Sequence, residues 1–565
     1  MQNPLFFGIK IKKSMSDKKK YLEILERAVE ANRLRSFFAQ YPEHPKAYPA
    51  EAPEKGAQAF RAHLNKDFDE LLQGTPEGRA GEEVSPFTRE ALGIRYPLYS
   101  VETLLKNAAE ARSAWRKETI EERALILVDA LERIKERFFE IANATMHTTG
   151  QGWVMSFQAS GPHSNDRALE ALAMAYEELT RFPREVDWVK PMGKFEIKVH
   201  KSFHPVGKGI SLAIGCSTFP VWNSVPGIFA GLATGNPVIV KPHPGAVYPL
   251  AIVIAELQQA LLAAGHDPKT VQLAVDPPGK LIAKELAESP EVKIIDYTGG
   301  NEFGDYLESL KGKEVFTEKA GVNSVIFDSV KNLDAVVQNL AFSVSLYSGQ
   351  MCTAPQNFYI PQEGILENGE RIPYEEVVNR LRDAVYGFVH HPKMGPGTLG
   401  AIQNERTLKR VQGVDGLEAE VLLAPEAIEN PEFANARTCA PSIIEVDAGS
   451  ELIREELFGP LIQVIKTRDT EHSLQLAHDI AMEKGAITCA AYTTDEETAK
   501  RIEERMEEAF VPVSFNLTGY IWVNQNAAFS DFHVTGGNPA GNASLADPNF
   551  VNRRFVWVGH RKLTD

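Results

Sequence analysis

Over residues 20–40, Tyr21, Leu22, Leu25, Val29, Leu34, Phe37 and Phe38 fall at helical spacing. Pro42, Pro45, Pro49 and Pro53 then stiffen the chain, and a second helical stretch over 57–72 runs up to the breaker Gly74-Thr75-Pro76. Residues 1–95 thus predict a helical N-terminal extension, with no pattern in it that points to chemistry. From Ser100, amphipathic helices are predicted over 101–115, capped by Ser100, and over 120–138, with a further one over 168–179. Residues 188–205 alternate instead, Phe195, Ile197 and Val199 against Glu196, Lys198 and His200, which predicts a hairpin around Met192-Gly193 suited to a sheet edge or an interface.

At residue 209 the pattern changes. Short unbroken apolar runs at 209–214, 237–241, 271–274 and 293–297 alternate with helical stretches at 223–234, 250–264 and 280–288. Such runs between helices imply buried parallel strands and a doubly wound α/β domain. A second α/β region follows over 324–509, containing a helix over 474–484, and the chain closes with a strand over 555–558.

Composition narrows the function classes. The 565 residues are 43% hydrophobic and 24% charged, enough for several ordinary globular cores. A net charge of −16 argues against a general nucleic-acid or anionic-membrane binder, which needs a basic face. Cys216, Cys352, Cys439 and Cys489 lie far apart and share no metal-ligand spacing with histidines, so no metal is expected and the thiols read as reduced, in a cytoplasmic protein. No apolar run is long enough for a membrane span, and the lysines near the N-terminus precede no apolar segment, which excludes a secretory signal.

In doubly wound sheets ligands bind beyond the carboxyl ends of the strands, so the residues after each strand matter most. These are Gly215-Cys216-Ser217-Thr218-Phe219-Pro220, then Lys241-Pro242-His243-Pro244, then Thr298-Gly299-Gly300-Asn301-Glu302-Phe303-Gly304. The last opens a helix with a glycine-rich entry, a backbone donor site for phosphate, although a plain strand-to-helix turn has the same look. Cys352 sits in Tyr347-Ser348-Gly349-Gln350-Met351-Cys352-Thr353, among small residues that let backbone approach a substrate. A buried structural cysteine is the competing reading.

The order of these pieces is more specific than any one of them. Thr218-Phe219-Pro220, residues 233–242, 297–304, 317–323 and 349–352, Glu455-Glu456-Leu457-Phe458-Gly459-Pro460 and Val523-Asn524 together resemble the aldehyde dehydrogenase superfamily from about residue 95 to the end. The His-Pro after Lys241-Pro242, the sparse C-terminal loop and the long N-terminal extension look most like its phenylacetic acid degradation (PaaN-type) branch.

The resemblance implies an α/β fold: a Rossmann-type NAD(P)-binding domain over 96–317 with the hairpin 188–205 as an oligomerisation element, and a catalytic domain over 318–510. Residues 511–552 would return to the cofactor domain and form a substrate loop, and 553–565 an oligomerisation tail. It implies that Cys352 attacks the aldehyde carbon, that hydride leaves the thiohemiacetal for the nicotinamide, and that the thioester is then cleaved. Glu318 matches the base that activates water, which favours a free acid over an acylated coenzyme A. Lys241 matches the lysine on the adenosine ribose, Glu456 and Phe458 the nicotinamide-ribose contacts, and Gly299, Gly300 and Gly304 the turn on the pyrophosphate.

Two departures stand out. The family's oxyanion donor is an asparagine, whereas the matching residue here is Thr218, with Asn223 as a substitute. Three positions after Lys241, where many NAD-preferring relatives carry a glutamate, stands Pro244, which favours NADP over NAD. By resemblance Phe219, Trp222, Tyr347, Met351, Phe529 and Phe532 line the substrate tunnel. The branch implies a coenzyme A-linked semialdehyde from ring opening. Lys198, His200 and Lys201 or Arg553 and Arg554 are candidates for its phosphates, with solvated strand faces as the commoner reading. The resemblance also implies a homodimer or a dimer of dimers. The alternatives are an acylating enzyme that releases a coenzyme A thioester, and a binding protein that keeps the fold without turnover.

Overall fold

The computed structural model describes residues 15–521, 529, 533 and 536–564. Two parallel sheets carry the architecture. In the first, five parallel strands run in the order Val271–Leu273, Val238–Lys241, Ile210–Ile214, Val292–Thr298, Glu314–Glu318. Helices Pro220–Ala233 and Tyr248–Ala263 bury nearly every side chain beside it, as the unbroken apolar runs require. In the second, seven strands spanning residues 324–515 include a core of parallel neighbours, Ser442–Val446, Leu461–Thr467, Asn357–Pro361, Ser324–Phe327, Cys489–Tyr492 and Val513–Phe515. The fold is thus the α/β architecture expected.

The hairpin forms as Glu185–Pro191 and Glu196–Gly207, and Phe555–Leu563 joins it antiparallel to make a three-stranded arm. Ser100 accepts from the Thr103 amide at 3.3 Å and starts the helix Val101–Trp115.

The extension differs from its expected outline. Its second helix is Ala52–His63 and stops short of residue 72, because Asn65 turns into the left-handed region at φ 59°. Asparagine tolerates that conformation, and the chain then pairs back on itself, Asn65 N to Leu92 O at 3.0 Å and Phe68 N to Arg95 O at 2.9 Å.

Nor is the extension a separate body. Ile24, Leu25, Ala28 and Val29 of the helix Met15–Leu34 belong to the same core as the helices Ile120–Lys135 and Pro162–Thr180. The buried Glu83 carboxylate accepts from Val247 N at 2.6 Å and Tyr248 N at 2.8 Å, satisfying the start of the helix Tyr248–Ala263. Phe38 meets Phe529 edge-on at 4.9 Å, and Arg35 donates to Ala546 O at 3.1 Å. Arg35 and Phe38 therefore tie the extension to the C-terminal segment of the chain.

Candidate active site

A cleft of about 1290 Å³ opens between the two sheets at the carboxyl ends of the five-stranded one. Thr218, Phe219, Lys241, Pro244, Gly299, Gly300, Glu318, Cys352, Glu456 and Phe458 all line it. Parallel strands deliver these groups to one end: Lys241 ends Val238–Lys241, Gly299 follows Val292–Thr298, and Glu318 ends Glu314–Glu318.

The loop that carries Cys352 is held in a costly conformation. Tyr347, Ser348 and Gly349 take φ of 51°, 50° and 62° in succession. The two non-glycine residues cost about 1–2 kcal/mol each, and their surroundings over-determine them. Tyr347 Oη donates to Thr149 O at 2.5 Å, Ser348 Oγ to Leu399 O at 3.1 Å, and Gln350 Nε2 to Ala401 O at 3.0 Å. A side chain on Gly349 would stand 2.5 Å from Gly459 O, so the residue must be glycine for the Cys352 loop to meet the Glu456-Phe458 turn.

Asn323 fixes the far side of Cys352. Its Nδ2 donates to Cys352 O at 2.7 Å and Ala354 O at 3.0 Å, while its Oδ1 accepts from Ile487 N at 3.0 Å and Thr488 N at 3.1 Å. Replacing it by alanine strands four backbone groups. Asn323→Ala should lower stability by roughly 3 kcal/mol or more, read as the urea midpoint, and reduce turnover with it; an unchanged midpoint would contradict this.

Around the sulfur three groups converge. Glu318 Oε1 lies 2.9 Å from His533 Nε2, which lies 3.4 Å from Cys352 Sγ. Asn223 Nδ2 donates to the other Glu318 oxygen at 3.0 Å. Burial works to raise the Glu318 carboxyl, but His533 outweighs it and the group is held below the usual carboxylate range. Burial and the nearby Glu318 charge push the Cys352 thiol well above its ordinary value. Burial lifts Glu456 to about 8, against the pull of Arg410.

Several expected residues play other parts. Asn223 spends one amide N–H on Glu318, and its Oδ1 lies 3.7 Å from Cys216 Sγ, so its side chain is anchored as a holder of Glu318. The Thr218 hydroxyl is directed at Cys216. Gly304 does not reach the cleft: a side chain there would strike Lys319 Cδ at 2.4 Å, so the glycine serves helix-to-strand packing. Nothing lies within 4 Å of where a Gly300 side chain would stand, which leaves the amide edge of the turn open.

Of the six tunnel residues, Phe219 reaches the cleft, while Trp222, Tyr347 and Met351 are buried with it in one apolar cluster beside the loop. Phe529 packs on Phe38, away from Cys352, and Phe532 lies outside the described residues, as do Val523 and Asn524. The basic groups offered for phosphates are also taken. Arg554 is fully buried and pairs with Asp296 at 2.5 Å, and Arg553 pairs with Glu314 at 2.9 Å. Lys198, His200 and Lys201 lie on the arm, where Lys198 meets Glu196, His200 meets Asp187 and Lys201 covers Trp188.

Two groups carry no signal in the sequence. His533 stands in a loop of no recognisable pattern, 215 residues from Glu318. Asp276 lies beyond Val271–Leu273, and its Oδ2 stands 2.5 Å from Lys241 Nζ, the ends of neighbouring parallel strands being side by side. Only the apolar-run pattern, which placed the two strand ends, could have directed attention to Asp276.

The comparisons agree with this geometry. A sequence profile of the aldehyde dehydrogenase family matches residues 76–540. The solved structure of an NAD-dependent aldehyde dehydrogenase from Burkholderia multivorans is similar at a TM-score of 0.94 and 41% identity, covering 98% of this chain and 99% of that one. The alpha-ketoglutaric semialdehyde dehydrogenase of Bacillus subtilis is 26% identical over 67% of this chain and 75% of its own length. A 1-pyrroline-5-carboxylate dehydrogenase of the same organism is 24% identical over 77% and 81%. With Cys352 and Glu318 meeting in one large strand-end cleft, and a family match over most of its length, the chain belongs to the aldehyde dehydrogenase family.

Proposed function

We propose that this dehydrogenase oxidises a semialdehyde to the free acid, with Cys352 as nucleophile and Glu318 as the base that activates water. The observation that carries the reading is the meeting of Cys352 and Glu318, delivered from opposite sheets, at the head of the strand-end cleft. The open Gly300 turn, Lys241 and Glu456 fit a nicotinamide dinucleotide, the pyrophosphate at the helix Asn301–Glu308 and a ribose at Glu456. Bound there, that group supplies the hydride acceptor and a positive charge that favours the thiolate.

The chain's own groups do the rest. The Cys352 thiolate adds to the carbonyl carbon, and the oxygen that becomes negative is met by the Cys352 amide and by the Thr218 hydroxyl once that turns from Cys216. After oxidation the acyl group sits on sulfur as a thioester. Glu318, pinned at one oxygen by Asn223, takes a proton from water as it attacks the acyl carbon, and Cys352 leaves as thiolate.

The substrate class rests on two supports. The B. subtilis relatives carry semialdehyde and pyrroline-carboxylate names, and the PaaN-type resemblance favours a coenzyme A-linked ring-opening semialdehyde. Because Arg553 and Arg554 are paired elsewhere, such a phosphate-bearing tail would have to leave by the cleft mouth, where Arg406 and Lys484 stand. The test is a panel of free aliphatic, free aromatic and coenzyme A-linked semialdehydes, followed by reduced nicotinamide and product mass. Free acid from a semialdehyde supports the reading; a coenzyme A thioester formed only when coenzyme A is added would replace it with acylating chemistry, and no oxidation of any aldehyde would reject it.

The cofactor preference turns on Asp276. Pro244 leaves no carboxylate at its own position, but Asp276 supplies one beside Lys241 and neutralises the charge that would attract a 2′-phosphate. NAD is therefore set ahead of NADP, in line with the NAD-dependent name of the B. multivorans relative. Asp276→Asn should shift the ratio of KM values toward NADP by on the order of tenfold, from two like charges a few ångströms apart; an unchanged ratio would acquit Asp276.

Assembly follows from the arm. Trp188, Val189, Phe195, Val556 and Leu563 expose 38–74% of their surface there, an apolar edge suited to a second copy. Sedimentation is expected to give a dimer or a dimer of dimers, and a monomer would contradict it.

A further inference from the structure

We propose that His533 is a catalytic residue, which hands one N–H from the base to the nucleophile as negative charge moves between them. The proposal rests on the reading of Cys352 as nucleophile and Glu318 as base, and concerns a side chain that no motif marks.

One ring nitrogen faces both groups: Nε2 is 2.9 Å from Glu318 Oε1 and 3.4 Å from Cys352 Sγ. The three reacting atoms lie within 4.8 Å of one another. His533 is 4% exposed, and its ring meets Trp222 edge-on at 4.5 Å, while Arg167 covers Trp222 at 4.0 Å. The imidazole is thus braced, and small rotations rather than a swing would exchange its two acceptors.

Which group holds the proton follows from the acceptors. Glu318 is a carboxylate in the resting site and can only accept, so the nitrogen that faces it carries hydrogen. That nitrogen cannot then take the thiol proton. Among the described residues, the charged and titratable groups besides His533 that bear on the Cys352–Glu318 pair are Cys216, Glu456 and Arg167.

The step balances with one proton. The Cys352 S–H bond breaks and its proton passes to a Glu318 oxygen, leaving thiolate on sulfur and a neutral carboxyl group. Nothing is oxidised or reduced. The His533 N–H loses its charged partner at Glu318 and gains one at Cys352, where a charge-assisted hydrogen bond is stronger than one to a neutral group. When Glu318 later releases its proton to solvent, the N–H returns and the base is reset for water. A single donor therefore compensates the burial that otherwise raises the thiol.

The experiment is alkylation of Cys352 by iodoacetamide in the full-length protein saturated with NAD, from pH 6 to 10. It is run with a chelator, because the same three donors suit an adventitious zinc ion. No aldehyde is present, so the result stands apart from the substrate reading. His533→Leu is expected to slow alkylation at pH 7.5 at least tenfold and to move the profile up by about one unit. His533→Gln, which keeps an N–H donor near the same place, is expected to restore the rate to within about threefold. Dinucleotide binding and melting temperature check the fold of each variant, and His533→Met replaces the leucine variant if that one fails to fold. An unchanged pH profile in the donor-free variant, or a glutamine variant as slow as leucine, would overturn the proposal.

Discussion

Cys352→Ala is expected to abolish aldehyde oxidation, a fall on the order of 10⁵-fold that leaves only background turnover. The remaining thiols are poor substitutes. Cys439 and Cys489 are buried, and burial pushes both up to about 12, so neither is an available thiolate near neutral pH. Cys216 lines the same cleft, but its sulfur is held in the turn that opens the helix Pro220–Ala233, accepting from Phe219 N at 3.4 Å. Dinucleotide binding should be unchanged, because Lys241, Gly300 and Glu456 are untouched, and stability should move little, since Cys352 is only partly buried. The check is a single-turnover assay for reduced nicotinamide together with counting of alkylated thiols. Turnover within tenfold of the parent protein would remove Cys352 from the chemistry and bring Cys216 forward.

The parts of this site that were legible in the sequence are those fixed by local pattern. Lys241 and Glu318 could be placed because unbroken apolar runs mark parallel strands, and ligands gather at the carboxyl ends of such strands. Cys352 could be placed because its glycine-rich approach and its company in the chain resemble a known series.

What could not be read depends on contacts between distant segments. His533 reaches Glu318 across 215 residues of sequence from a loop without periodicity. Asn223 looked like a spare oxyanion donor because a sequence does not show that its amide is anchored on Glu318. The burial of Tyr347 and Met351 was hidden for a related reason: both flank Cys352 in sequence, yet beside the left-handed turn at 347–349 they pack into one apolar cluster with Phe219 and Trp222. Gly304 matched a motif by position while its function is close packing against Lys319. The extension, which shows no chemistry in its sequence, acts through Glu83 and Phe38 on elements that do.

Glu318→Gln should leave the enzyme able to form its acyl intermediate and nearly unable to clear it. A carboxamide cannot accept a proton from water, and loss of a general base costs about 10²–10⁴-fold in the step it serves. The two oxygens are bonded in the parent protein to separate donors, Asn223 and His533, so the variant must turn its NH₂ toward one of them. Toward Asn223 two donors then face each other in a buried site, a further loss of about 1–3 kcal/mol, and toward His533 the ring must change tautomer so that Nε2 accepts. Rapid mixing is expected to show a burst of one reduced nicotinamide per active site followed by a steady rate at least a hundredfold below the parent's. Intact-protein mass should find the acyl group on Cys352. If Glu318 also draws the proton from the thiol, the burst itself will be slower, and its pH dependence will follow the thiol. Added coenzyme A separates the two chemistries: a steady rate that stays low means that the protein relies on its own base and on water, whereas restoration by coenzyme A would mean that acyl transfer is the native release step. A steady rate equal to the parent's in plain buffer would deny Glu318 its role.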